Sequence, residues 1–129
     1  MNFRKVLGLA ATIFSLFFIA VVSQKPGAAG SAPSAGKELF AKRCSGCHAT
    51  DSTQEGPRLR GVLGRKAGTV AGYPYSGALR NSGITWTEAL LNKWLENPDA
   101  VVRDNDMEFR VSNAAERAAL VAYLRSLTN

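Results

Sequence analysis

Five consecutive residues, Cys44-Ser45-Gly46-Cys47-His48, limit what this chain can fold into more than any other part of it. They hold its only two cysteines and its only histidine. Two thiols one helical turn apart can add to the two vinyl groups along one edge of a haem. A histidine directly after the second thiol then falls under the iron, with an imidazole nitrogen as axial donor. Three other readings fit less well. A dithiol redox motif shares the spacing but wants a βαβ context that is not seen here. A structural zinc site takes four ligands, and no further Cys or His exists. A disulfide between Cys44 and Cys47 is geometrically poor inside a helix. The string is therefore read as the attachment site of one covalent haem c, with His48 as an iron ligand.

The rest of the chain needs such a group. Once the apolar first 22 residues are set aside, a domain of roughly 95 residues remains, too small for an ample core without a staple or a large cofactor. No repeat is visible, and nothing alternates apolar and polar residues for long enough to predict a strand. A first helix is expected from near Ser34 toward Cys47. Ala49 to Ser82 is a glycine-rich loop, which is compatible with a compact domain only if it wraps around something. Thr85 with Glu88 in capping-box register predicts a second helix, with Leu90, Leu91, Trp94 and Leu95 as its stripe and Asn97-Pro98 as its stop. Pro98 suits the first turn of a short helix capped by Asn97. Asn113 and Glu116 open a last helix that buries Leu120, Leu124 and Leu127. The expected fold is all-α: short helices and a long loop around one buried planar group.

The N-terminus suggests export. Arg4 and Lys5 precede an uncharged apolar run, Val6 to Val22, of roughly 17 residues, long for a signal h-region and short for a membrane span. Residues 1–23 read equally as a cleaved signal peptide or a membrane anchor. Residues 24–35, rich in Gly, Ala, Ser and Pro, read as a flexible linker, and residues 36–129 as the folded domain. Either way the basic residues stay in the cytoplasm and the domain lies outside it, on the periplasmic side of a bacterium. Setting Arg4 and Lys5 aside lowers the formal charge from +6 to +4, with 14 basic against 10 acidic residues. That mild excess, without a lysine-arginine block, is no nucleic-acid footprint.

The second axial ligand follows by elimination. His48 excludes a second histidine, both cysteines are used on the haem, and Met1 belongs to the export segment. Met107 remains, in the polar stretch Asp104-Asn105-Asp106-Met107-Glu108-Phe109, where a core methionine is unexpected. Lysine, water or an open position are the alternatives.

From Gly36 to Leu127 the chain closely resembles the class I cytochromes c, in the mitochondrial and bacterial c2-like branch. The resemblance is carried by Gly36-Lys37-Glu38-Leu39-Phe40, the haem string, Gly56-Pro57-Arg58-Leu59, Gly64-Arg65-Lys66, Gly72-Tyr73-Pro74-Tyr75, Gly83-Ile84-Thr85-Trp86, Leu95-Glu96-Asn97-Pro98, Met107-Glu108-Phe109 and Leu120-Val121-Ala122-Tyr123-Leu124. It implies first and last helices crossing through Gly36, Phe40, Leu120, Tyr123 and Leu124. It also implies that the Pro57 carbonyl orients His48, that Tyr75 and Trp86 bond a haem propionate with Arg65 offsetting its charge, and that Phe109 shields the haem beside Met107.

Some positions depart from the family. Trp94 stands where a tyrosine usually reaches the methionine sulfur, leaving that contact in doubt. Leu79 replaces a usual asparagine and should make its side of the haem drier. Arg103-Asp104-Asn105-Asp106 replaces Pro-Gly-Thr-Lys, which puts the loop's rigidity in question. Asp99, Ala100 and Asp106 stand where mitochondrial relatives carry lysines. The function implied is a monomeric single-electron carrier, without catalytic residues. It would run from a bc1-type quinol-cytochrome c reductase to a terminal oxidase or another acceptor, free or held by a membrane tether. A haem peroxidase or small-ligand sensor with labile Met107, and an electron-entry subunit of a larger membrane complex, are the alternatives.

Overall fold

A computed structural model describes residues 32–127. The signal or anchor expected over 1–23, and residues 24–31 of the linker expected over 24–35, lie outside the described residues. Five helices follow in order: α1 (Ala32–Arg43), α2 (Gly77–Asn81), α3 (Glu88–Glu96), α4 (Pro98–Val101) and α5 (Ala114–Ser126). Among the described residues there is no strand longer than an isolated bridge, Lys66 to Thr85, and no helix long and apolar enough to cross a membrane.

The frame is the crossing of α1 on α5. A Cβ at Gly36 would lie 2.0 Å from the carbonyl oxygen of Ala119 and 2.7 Å from Cβ of Tyr123, so only a glycine lets the two backbones meet. One turn on, the Phe40 ring packs against Tyr123 with centroids 5.4 Å apart. Arg43, in the last turn of α1, pairs with Glu116 in the first turn of α5 at 3.0 Å. Leu120, Val121 and Leu124 bury the inner face of α5. The helix start is as expected: Asn113 accepts from the Ala115 and Glu116 amides. Glu116 turns to Arg43, however, and does not complete a capping box.

Three expectations need correction. First, α1 already includes Ala32 to Ala35, the last four residues of the linker expected over 24–35, with Pro33 in its first turn where a missing N–H costs nothing. It ends at Arg43, and Cys44 to Cys47 form a turn. Second, α3 is capped by Thr87, which accepts from Leu90 N, and not by Thr85. Residues 84–86 are extended because Ala67 N donates to Ile84 O, Trp86 N to Arg65 O and Gly64 N to Trp86 O at 2.9–3.0 Å. Those pairings hold Thr85 outside the helix. Third, the glycine-rich stretch contains α2, capped by Ser76. Asn97 stands at the cap position of α4 but makes no side-chain cap bond, and its Oδ1 is buried without a partner.

Candidate haem site

The loop after α1 builds one wall. Cys47 N and His48 N both donate to Cys44 O, at 3.1 and 2.8 Å, so a tight turn brings both thiols and the imidazole to one place. Both cysteines are free thiols, Cys47 exposed and Cys44 half-buried. Burial pushes the Cys44 thiol above its ordinary pKa, against the opposing pull of Arg43. The His48 Nδ1–H donates to the Pro57 carbonyl at 2.9 Å. A carbonyl only accepts, so the proton sits on Nδ1 and the Nε2 lone pair is left for a metal. Gly56 makes this possible: a Cβ there would lie 2.4–2.9 Å from three ring atoms of His48.

Opposite in the chain, the loop before α5 carries Met107, and Asn105 organises it. Its Nδ2 donates to Asp99 Oδ1 at 3.0 Å and to Val102 O at 2.9 Å, while its Oδ1 accepts from Met107 N at 2.8 Å. The bend this needs places Asp104 at φ 60°, a left-handed conformation that Asp tolerates better than most residues. So the loop whose rigidity was in question is braced by a side chain in place of a proline. The doubt over Trp94 is also resolved: its indole Nε1–H donates to Met107 Sδ at 3.0 Å. Tryptophan makes the sulfur contact that the tyrosine makes in relatives.

Between these walls lies a cavity of about 430 Å³. Cys44, Cys47, His48, Pro57 and Met107 line it, with Arg65, Tyr75, Trp86 and Phe109. Every residue singled out from the sequence is thus brought to one pocket. Tyr75 Oη accepts from Val70 N at 3.3 Å, which leaves its own proton for another acceptor. Arg65 is held from behind by the carbonyls of Arg58 and Arg60, at 2.8 and 3.0 Å. Leu79 also lines the cavity, which fits a dry flank. Phe109 is 43% exposed and sits on the rim with Asp106 and Glu108.

Arg117 was missed in the sequence. It is 6% exposed on α5 and donates to Val111 O and Ser112 O at 2.9 and 2.8 Å. It also reaches Asn92 and Glu96 of α3, at 3.2 and 3.1 Å, locking the exit of the Met107 loop to two helices. Arg117 stands beside the apolar Leu120, Val121 and Leu124, and that buried position is the one hint the sequence offers.

The pocket fits a flat apolar group with polar substituents. Its walls are hydrophobic, two thiols stand on one edge, one imidazole has a free lone pair, and a phenol and a guanidinium are available for carboxylates. This defines an all-α protein that binds haem covalently. The family is shown directly: a family model for cytochrome c matches residues 33–128, and the chain belongs to that family. It is 45% identical over 87 residues to cytochrome c2 iso-2 of Magnetospirillum fulvum, covering 65% of this chain and 91% of that one. It is 42% identical over 92 residues to cytochrome c 2.1 of Caenorhabditis elegans, covering 69% and 83%. Among solved structures, cytochrome cH from Methylobacterium extorquens superposes with a TM-score of 0.69 at 38% identity, covering 73% and 97%. Ferricytochrome c2 from Rhodopseudomonas palustris does so with 0.68 at 36%, covering 74% and 97%. The chain is a c-type cytochrome, an electron carrier with one covalently bound haem c.

Proposed function

We propose that this cytochrome is a single-electron shuttle on the periplasmic side of a bacterial membrane, in which Cys44 and Cys47 would attach the haem and His48 and Met107 would hold its iron. The haem iron supplies the Fe(II)/Fe(III) couple. The observation that carries the reading is that His48 and Met107 line one cavity and each is already held in orientation, by Pro57 and by Trp94. Side chains already held in place by the protein would need little rearrangement when the iron changes oxidation state. Two such ligands would also leave the iron no open position, which supports a carrier over an enzyme. Tyr75 and Trp86 would bond a propionate, Arg65 would offset its charge, and Phe109 would cover the rim beside Met107.

The partners in this reading are redox proteins: a bc1-type complex as donor and a terminal oxidase or equivalent as acceptor. The domain acts as a monomer, either released or tethered through residues 1–23. The charge order of Arg4 and Lys5 before an apolar run supports the extracytoplasmic placement. Two experiments test the site. Met107→Ala should abolish the absorption band of methionine-ligated ferric haem and lower the potential; an unchanged spectrum refutes the ligation. The haem should resist extraction into acidified organic solvent in the parent and be lost from the Cys44→Ala/Cys47→Ala double variant.

A further inference from the structure

We propose that Asp99 is a positioning residue for Met107: its carboxylate clasps both flanks of the Met107 loop and so sets how readily the thioether leaves the iron. This rests on Met107 being an axial ligand and goes further by naming what restrains the segment that carries it. Asp99 Oδ1 accepts from Asn105 Nδ2 at 3.0 Å, and Asp99 Oδ2 accepts from Arg110 Nη2 at 3.2 Å. One carboxylate thus ties residues 105 and 110 together, with Met107 between them. A lysine, which mitochondrial relatives carry at this place, could take neither role, because an ammonium only donates.

The segment depends on such a clasp because its own backbone is barely bonded. Val102 N donates to Pro98 O at 2.9 Å, and Val111 N donates to Leu95 O at 2.7 Å. Between Val102 and Val111, among the described residues, no backbone–backbone hydrogen bond is made. Side chains hold the stretch instead. Met107 N donates to Asn105 Oδ1 at 2.8 Å, and the Asn105 amide is turned to receive it by its own bonds to Asp99 and Val102 O. On the far side of Met107, Arg110 returns to the same carboxylate. Asp99 is a firm anchor, because it follows Pro98 in α4, and the Pro98 side chain is fully buried. The Asp99–Arg110 pair is itself exposed, at 54% and 52% of the two side chains, so it adds little to global stability. Its effect is local. A segment without backbone bonds opens more easily than the fold as a whole, and the side-chain bonds at its flanks set the cost of that opening.

The test uses the haem-loaded full chain and reads ferric imidazole affinity and the thioether-to-iron absorption band. Asp99→Ala removes both bonds and should let imidazole displace Met107 about tenfold more readily. Asp99→Asn can still accept from Asn105, and Arg110→Gln removes only the ion pair. Each should shift imidazole affinity by about threefold. With Asp99→Ala in place, Arg110→Gln should add nothing further, because the two act through one carboxylate. At about 1 M salt, where the Debye length falls to about 3 Å, the parent should come to match Arg110→Gln. In a Met107→Ala background, Asp99→Ala should leave imidazole affinity unchanged, because the sulfur it acts through is gone. Parent-like imidazole affinity in Asp99→Ala, or additive shifts from Asp99→Ala and Arg110→Gln, overturns the clasp alone. So does a shift by Asp99→Ala in the Met107→Ala background. A parent without the thioether band overturns ligation by Met107 and the clasp with it.

Discussion

The side chain of Asn105 accepts the backbone N–H of Met107 at 2.8 Å while its own amide is spent on Asp99 and Val102. One residue therefore joins the Met107 loop to α4 and its exit. Asn105→Ala removes all three bonds and leaves the partly buried Val102 carbonyl without that donor. Stability should fall by about 2 kcal/mol, given roughly 0.5–1.5 for each bond. Urea unfolding checks this, and the methionine-ligation band of the folded variant should weaken in parallel.

Gly36→Ala tests the helix crossing. The new Cβ would meet the Ala119 carbonyl oxygen, a backbone atom that cannot rotate away. Overpacking of this kind costs about 3 kcal/mol. Because α1 leads directly into the attachment turn, the yield of haem-loaded protein should drop together with the thermal midpoint. Ala35→Gly, one residue away, would make a control for backbone entropy alone.

Tyr75 makes stability depend on alkaline pH. Burial raises its phenol above the usual value, outweighing the Val70 N–H and Arg65, which pull it down. The folded state thus holds the proton more tightly than the unfolded chain, whose phenols titrate near about 10. The resulting stability is complete below about pH 10 and is lost as pH rises through the folded value. Thermal midpoints should fall above that pH, and Tyr75→Phe should flatten the slope in that range. An equal slope in parent and variant would remove Tyr75 as the cause.

Ionic strength reports on the docking face. Glu55, Asp106 and Glu108 line the mouth of the cavity. Of the arginines there, Arg43 is paired with Glu116 and Arg65 is bonded to backbone carbonyls. Asp99 is paired with Arg110 at 3.2 Å. The rim therefore lacks the positive field that captures an acidic partner across a Debye length of about 8–10 Å. Electron transfer to the oxidase proposed as acceptor should depend only weakly on salt between low and physiological ionic strength, and a lysine-reading oxidase should be a poor acceptor. A steep fall with salt in stopped-flow oxidation would place the docking face elsewhere.

What the sequence determined by itself is the chemistry that depends on near neighbours. Cys44, Cys47 and His48 are brought together by one turn, so their spacing reads out directly. Asn113 caps α5 through amides two and three residues away, and the stripe of Leu120, Leu124 and Leu127 follows from helical period. Tertiary structure decided whatever depends on a partner distant in sequence. Thr85 looks like a cap, but pairing of residues 84–86 with 64–67 claims its backbone and moves the helix start to Thr87. Trp94 reads as stripe until α3 is set against the loop before α5 and its N–H meets Sδ of Met107. Arg117 looks like a surface residue, yet it reaches Asn92 and Glu96 of α3, which only folding brings near. Local spacing specifies which atoms can react with the haem. The bonds from Trp94 to Met107 and from Arg117 to α3 cross the chain, and no local pattern records them.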